Sequence, residues 1–314
     1  YGLKIYNMSN PENPLLIGST DLPGIYHDLY VDVERKLAYL ADLEDGLEIL
    51  DITILSNPIH VGNYSVGEQN ARYIYALNNL LFLANYETGL EIFNVSDPSN
   101  PTKIGGYEIT DGCILEHVSD NIAYLSSGGM ELIILNVTNP FQPVKLGVYR
   151  DDEPVRAFYV DTEENLAIIN SLDSIKIIDL SDPTNPGFLG ENYEVKPSYT
   201  FGIFKENDLA YIGEFEDGLA IINVSNPERP FLLHKYTDDG GVGWVFSEDT
   251  IVYVGIVYSR VRILRISVSK STESTTTEST SPSFELLIVL VNFIVYCGIK
   301  KYRHRKKFKF NIND

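Results

Sequence analysis

Six copies of one phrase, the complete ones holding four short apolar segments and each carrying a proline-punctuated turn, predict an all-β chain, a β-propeller of six to seven four-stranded blades. The copies are plainest in GLKIYNMSNPENPLLIG, GLEIFNVSDPSNPTKIG and GLAIINVSNPERPFLLH. Their second prolines are Pro14, Pro58, Pro101, Pro143, Pro186 and Pro230, spaced 42 to 44 residues apart, and a worn seventh copy is VRILRIS at 261–267. An apolar run near the C-terminus adds a single-pass transmembrane helix to the expectation.

One period, residues 71–107, shows the four segments: ARYIYAL, LLFLANY, GLEIFNV and TKIGGYE. Each is rich in β-branched and aromatic residues and bounded by turn formers. Between the second and third segments stand Asp45-Gly46, Thr88-Gly89 and Asp217-Gly218, where glycine allows the positive φ of a tight hairpin. After the third comes Asn/Asp-x-Ser/Thr-Asn/Asp-Pro-x-x-Pro, in which Asx side chains bond nearby amides and prolines fix φ. The paired prolines and the alternation oppose an α-solenoid of similar period.

One such sheet has two apolar faces, so blades must stack around an axis. The innermost strands are expected near 26–32, 71–77, 113–118, 155–160, 199–204 and 243–247. Residues 1–19 supply two further strands, and the last copy supplies three, ending at Ser267. Seven blades are expected if a segment upstream of Tyr1 completes the first; six are expected if Leu15 to Ser19 serves as the outer strand of the last.

Four regions follow: a propeller over 1–267, a Ser/Thr-rich stalk over 268–283, a membrane helix over 284–299 and a basic tail over 300–314. The stalk composition cannot bury enough apolar surface to offset the entropy of ordering. FELLIVLVNFIVYCGI spans roughly 24 Å as a helix against a hydrocarbon core of roughly 30 Å, a gap that snorkelling and local thinning close. Seven Lys or Arg between Lys300 and Lys309 flank it on one side, which places the tail in the cytoplasm and the propeller outside.

The chain carries 44 Asp plus Glu against 24 Lys plus Arg, for a net charge of −20. With seven of those basic residues in the tail, the propeller is strongly acidic and nucleic acid is not an expected partner. The two cysteines, Cys113 and Cys297, fall in an inner strand and in the membrane segment, so no disulfide framework is expected. Sequons at Asn7, Asn63, Asn94, Asn136 and Asn223 are candidate glycosylation sites. Four of them share one repeat position, where Asp51 and Asp179 substitute, which also fits a turn-forming role for the side chain.

The phrase GLxIhNVS-[ND]P-x-x-P-xxhG, with h apolar, resembles the LVIVD repeat over residues 1–267, with departures at Leu55, at His234 and in the worn last copy. The resemblance implies a prokaryotic surface-displayed propeller, often adhesive or ligand-binding, and carries over no catalytic residues.

In a propeller the loops leading into the inner strands share a face with the second-to-third strand turns. There, His27, Asp28, Arg72 and Arg156 are candidate ligand residues, with inter-blade ties as the alternative role. Trp244, the only tryptophan, is placed either to stack on a ligand or to fill the core. Asp42, Glu44, Asp45, Glu214, Glu216 and Asp217 are candidate ligands for a hard cation such as Ca²⁺, although the turns match no known calcium loop. No histidine is paired at zinc-ligand spacing, and neither a P-loop nor a nucleophile elbow occurs. The expected function is surface binding or adhesion toward a glycan, a peptide or a neighbouring surface protein. The alternatives are an extracellular hydrolase or lyase acting at the channel and a structural envelope component.

Overall fold

The computed structural model describes residues 2–10, 13–65, 70–109, 112–127, 130–155, 157–171, 173–195, 200–214, 217–237, 241–248, 251–256, 260–265 and 286–290. The chain opens with a hairpin of β1 (Leu3–Asn7) and β2 (Leu15–Thr20). Five four-stranded antiparallel meanders follow. The first is β3 (Tyr26–Asp32), β4 (Leu37–Asp42), β5 (Gly46–Asp51) and β6 (Ile59–Ser65). The second is β7 (Ala71–Leu77), β8 (Leu80–Asn85), β9 (Gly89–Asn94) and β10 (Thr102–Glu108). The third is β11 (Cys113–Ser119), β12 (Ile122–Ser127), β13 (Glu131–Asn136) and β14 (Val144–Arg150). The fourth is β15 (Ala157–Asp161), β16 (Leu166–Ser171), β17 (Ser174–Asp179) and β18 (Gly187–Asn192). The fifth is β19 (Thr200–Glu206), β20 (Leu209–Glu214), β21 (Gly218–Asn223) and β22 (Phe231–Tyr236). A three-stranded sheet of β23 (Val242–Glu248), β24 (Ile251–Ile256) and β25 (Arg260–Arg265) comes next, and β26 (Leu286–Leu290) pairs with β1.

Seven sheets therefore form among the described residues. The inner strands β3, β7, β11, β15, β19 and β23 neighbour one another in sequence order, as blades around an axis require. Strand β2 pairs with β1 in a sheet of its own, so the six-blade closure, in which it would edge the last sheet, is not the one adopted. The β1–β2 hairpin closes the ring from both sides. Leu3 and Ile5 pack on Tyr26, Leu29, Leu40 and Leu50 of the first meander. Tyr6 and Met8 pack on Trp244, Phe246 and Tyr253 of the three-stranded sheet.

The expectation of a helix over 284–299 is corrected where the structure describes it: Leu286–Leu290 are a β-strand, and the other residues of that range lie outside the described ones. Pairing with β26 satisfies the main-chain groups along that side of β1. The register is that of a second strand: Leu286 pairs with Asn7 as Leu37 does with Asp51 and Leu80 with Asn94. Among the described residues no helix is long and apolar enough to cross a membrane.

Second and third strands are buried on both faces because each sheet lies between two others. Tyr39, Ala41, Leu47 and Ile49 face the β7–β10 sheet, while Ala38, Leu40 and Leu50 face β1. Alternation by two thus appears as a continuous apolar run.

The repeat phrase acquires its physical meaning at the outer strand. Six ladders between third and fourth strands skip one residue: Ile17, Val61, Ile104, Leu146, Leu189 and Leu233 are bulged. The bulge turns the next residue onto the neighbouring sheet. At Gly18, Gly62, Gly105, Gly147 and Gly190 an added Cβ would come within 1.8 to 2.5 Å of a main-chain oxygen in the next sheet's proline turn, belonging to Leu55, Pro98, Pro140, Pro183 and Pro227 in order. The departure at His234 falls on the sheet whose neighbour's turn lies beyond Arg265, outside the described residues, and there the bulged Leu233 is exposed.

Ions reinforce one joint. Lys205 of β19, 3% exposed, binds Asp161 at the end of β15 and Glu164 in the following turn, both at 2.9 Å. Burial raises the Asp161 pKa, and the Lys205 ammonium together with the Glu164 and Glu163 amides more than reverses this, holding the carboxyl below its ordinary range. Lys205→Met leaves Asp161 charged and buried, so unfolding free energy from denaturant titration drops by about 3 kcal/mol or more. Adding Asp161→Asn recovers part of that loss, and equal stabilities for the wild type and Lys205→Met contradict the reading.

Candidate binding site at the inner-strand bulges

Inner strands carry a second set of bulges near their starts. The ladders skip His27, Arg72, Phe201 and Gly243, four residues at one repeat position, while β11 skips Glu116 two ladder pairs further along. A bulge frees its residue from the ladder and re-aims it, which is how strand ends position functional groups. Arg156, its counterpart in the repeat alignment, lies outside the described residues.

His27 is nearly buried, edge-on to Tyr73 at 5.1 Å between ring centres, with Nδ1 at 2.8 Å from the Arg72 carbonyl oxygen. A carbonyl only accepts, so Nδ1 carries the proton. Burial, followed by the Arg72 guanidinium, pushes the pKa down to about 4 against the opposing pull of that hydrogen bond. The ring is neutral at physiological pH. Asp28 works as a clip: Oδ1 accepts from the Leu29 amide and Oδ2 from the Ile74 amide on β7, each at 2.9 Å. The Oδ2 bond joins two inner strands, the inter-blade tie expected as the alternative role of Asp28.

Arg72 places its guanidinium 4.1 Å from the centre of the Tyr86 ring, and its buried Nε has no hydrogen-bond acceptor among the described residues. Tyr86, 43% exposed, follows β8 and its ring lies against Gly112 of the next blade. There φ is +83° and an added Cβ would stand 2.7 Å from the ring. The stacked pair is an exposed aromatic plane and a cation at the mouth of the axis, an arrangement suited to anions, sugars and aromatic side chains.

Trp244 takes the other of its two expected places: it is 5% exposed among Met8, Phe246 and Tyr253. It sits opposite Gly255, where an added Cβ would stand 1.9 Å from the indole nitrogen. Burial against the closing hairpin removes it from ligand contact. The acidic turns do not converge. Asp42 is buried, with Oδ1 accepting from the amides of Ile25 at 3.3 Å and Glu44 at 3.0 Å. Glu214 pairs with Lys235 at 3.2 Å, and burial raises its pKa against the lysine's pull. Glu44, Asp45 and Asp217 are exposed, and Glu216 lies outside the described residues. No group of three or more His, Cys, Asp or Glu among the described residues is placed to hold a metal. Cys113 is buried in β11, its thiol pKa raised by that burial.

One residue of this site escaped the sequence reading. Tyr86 stands in a turn whose pattern favours Asn85 and Gly89, and its role depends on a neighbouring blade.

Four stretches, residues 30–66, 69–109, 161–194 and 206–238, match the family described as LVIVD repeat. The chain is an LVIVD-repeat β-propeller. No curated protein matches its sequence. Solved structures similar to this propeller include a protein from Lactobacillus plantarum, with TM-score 0.73 and 12% identity over 91% of this chain and 99% of that one. A putative 6-phosphogluconolactonase from Bacteroides fragilis has TM-score 0.69 and 9% identity over 84% and 90%. Saccharomyces cerevisiae Sqt1 has TM-score 0.66 and 9% identity over 92% and 87%. At such identities the LVIVD propeller shares their fold alone.

The His27 pKa sets a pH dependence. Its folded value lies below the unfolded one of about 6.5, so the unfolded chain takes up the proton first. The residue's contribution is complete above pH 6.5 and is lost as pH falls from there toward 4. Relative to wild type, His27→Gln gains about 2 to 3 kcal/mol between pH 7 and pH 4.5 in chemical denaturation. Stability curves that stay parallel over that range contradict the assignment.

Proposed function

We propose that this propeller is a cell-surface binding or adhesion module that engages a glycan, a peptide or a neighbouring surface protein through the face holding Arg72 and Tyr86. The observation that carries this reading is the exposed Tyr86 ring with the Arg72 guanidinium 4.1 Å above it. Next to the pair, the bulge residue His27 donates from Nδ1 to the Arg72 carbonyl oxygen. Such a face recognises by stacking and by charge-assisted hydrogen bonds.

Residues 268–283 act as the stalk, 284–299 as the membrane anchor and 300–314 as the cytoplasmic tail, with the propeller outside. Support comes from the low-complexity tract, the apolar run and the one-sided basic flank. Pairing of Leu286–Leu290 with β1 and insertion in a bilayer are exclusive uses of one segment.

The full chain in lipid nanodiscs, applied to glycan and peptide arrays with calcium or chelator, tests the binding reading. Arg72→Ala and Tyr86→Ala each weaken the signal at least about tenfold, the loss of roughly one stacked cation–π contact, with melting temperature unchanged. Empty arrays in both conditions, or variants that bind like wild type, contradict it. Turnover of an arrayed polysaccharide shifts the case to an extracellular hydrolase or lyase. External protease on intact cells tests display: cleavage within the stalk supports it and full resistance opposes it.

A further inference from the structure

Four of the proline turns open on a sequon, and the turn has already committed half of each asparagine side chain. Asn7, Asn94, Asn136 and Asn223 use Oδ1 to accept the backbone N–H two residues on, at 2.9, 2.9, 2.8 and 3.1 Å. Asp51 and Asp179 make the same bond at 2.7 and 2.8 Å. The turn therefore requires the oxygen and not the amide nitrogen. Where asparagine is kept, Nδ2 is surplus to the turn, and the hydroxyl of Ser9, Ser96, Thr138 or Ser225 completes the acceptor triplet.

The outer strand adds an independent observation. Asn7 pairs with Leu15, Asn136 with Val144 and Asn223 with Phe231. Residues directly opposite in an antiparallel ladder share a face with Cβ atoms about 5 Å apart. Leu15, Val144 and Phe231 are 63%, 58% and 51% exposed. One exposed apolar side chain needs no explanation, but three at one repeat position, each beside a sequon, form a pattern. Asn94 faces Thr102 and Asn63 faces Glu48, so these two sequons lack the apolar neighbour. Ile59, 52% exposed opposite Asp51, is the apolar seat without a sequon.

We propose that Asn7, Asn136 and Asn223 carry N-linked glycans whose first sugar lies on Leu15, Val144 and Phe231. In the transfer, Nδ2 bonds to the anomeric carbon of a lipid-phosphate-linked oligosaccharide. The bond from that carbon to the phosphate oxygen breaks, the lipid phosphate leaves with the electron pair, and Nδ2 gives up one proton. The C–H face of the sugar ring then covers an apolar side chain that water otherwise meets, while its hydroxyls remain solvated. The inference rests on the exported orientation proposed above.

The full chain, expressed behind a secretion signal in yeast, tests this apart from its native location, because the signal enforces export. Glycopeptide mass spectrometry finds Asn7, Asn136 and Asn223 occupied. Enzymatic removal of the glycans lowers the melting temperature by about 2 to 4 °C, as expected for a small gain spread over a chain of this size. A Leu15→Ser, Val144→Ser, Phe231→Ser triple variant keeps its glycans and loses that shift. Asp51→Asn, which creates a sequon with Thr53 opposite Ile59, gains a further glycan. Empty asparagines in the secreted protein, or an undiminished shift in the triple variant, overturn the inference and leave display untouched, since protease access on native cells decides display separately.

Discussion

The structure depends on how closely one blade approaches the next. At five outer strands a bulge brings a glycine against the main-chain oxygen of the neighbouring proline turn, at a separation with no room for a Cβ. Hydrophobic burial supplies the driving force between blades, but it is not directional and does not set their spacing. The glycine does. With that approach fixed, the inner strands meet edge to edge around the axis, Asp28 reaches the Ile74 amide and Lys205 reaches Asp161. A side chain at the glycine would splay the blades and break those polar contacts, which tolerate little displacement in a low-dielectric interior.

The turn asparagines and aspartates serve the same joint from the other side. Each Asx oxygen bonds the amide two residues on, so the turn presents its proline carbonyl in one orientation. Arg35 adds a further link, donating to the Val95 carbonyl at 2.6 Å and to the Tyr39 hydroxyl at 3.0 Å. The repeat thus keeps at each blade what the joint needs and varies elsewhere. The inner-strand bulge position is where it varies, holding His27, Arg72, Phe201 and Gly243. A bulge kept at one level while its side chain changes lets that level differ from blade to blade without disturbing the joint.

Much of this fold was legible in the sequence because its period is written in prolines and glycines, whose effects are local. The inner strands lie within a few residues of their expected positions, and Gly46, Gly89 and Gly218 have φ of 99°, 95° and 92°, as the hairpins predicted. What was not legible is decided by neighbours distant in sequence. Trp244 has the same local pattern whether it faces a channel or Met8 from the other end of the chain. Tyr86 belongs to the site only because Gly112 of the next blade leaves room for its ring. Leu286–Leu290 carries an apolar composition suited to a bilayer and to a sheet alike, and its pairing with β1 is visible only in three dimensions.

Denaturant titration of single alanine substitutions at Gly18, Gly62, Gly105, Gly147 and Gly190, with Gly187→Ala as the reference, tests this joint most directly. Around Gly187 an added Cβ meets nothing within 4 Å. The account predicts losses of about 1 to 3 kcal/mol or more at all five joint positions and a change within about 0.5 kcal/mol at Gly187. Five substitutions as mild as the one at Gly187 would contradict it, and the spacing of the blades would then need another cause.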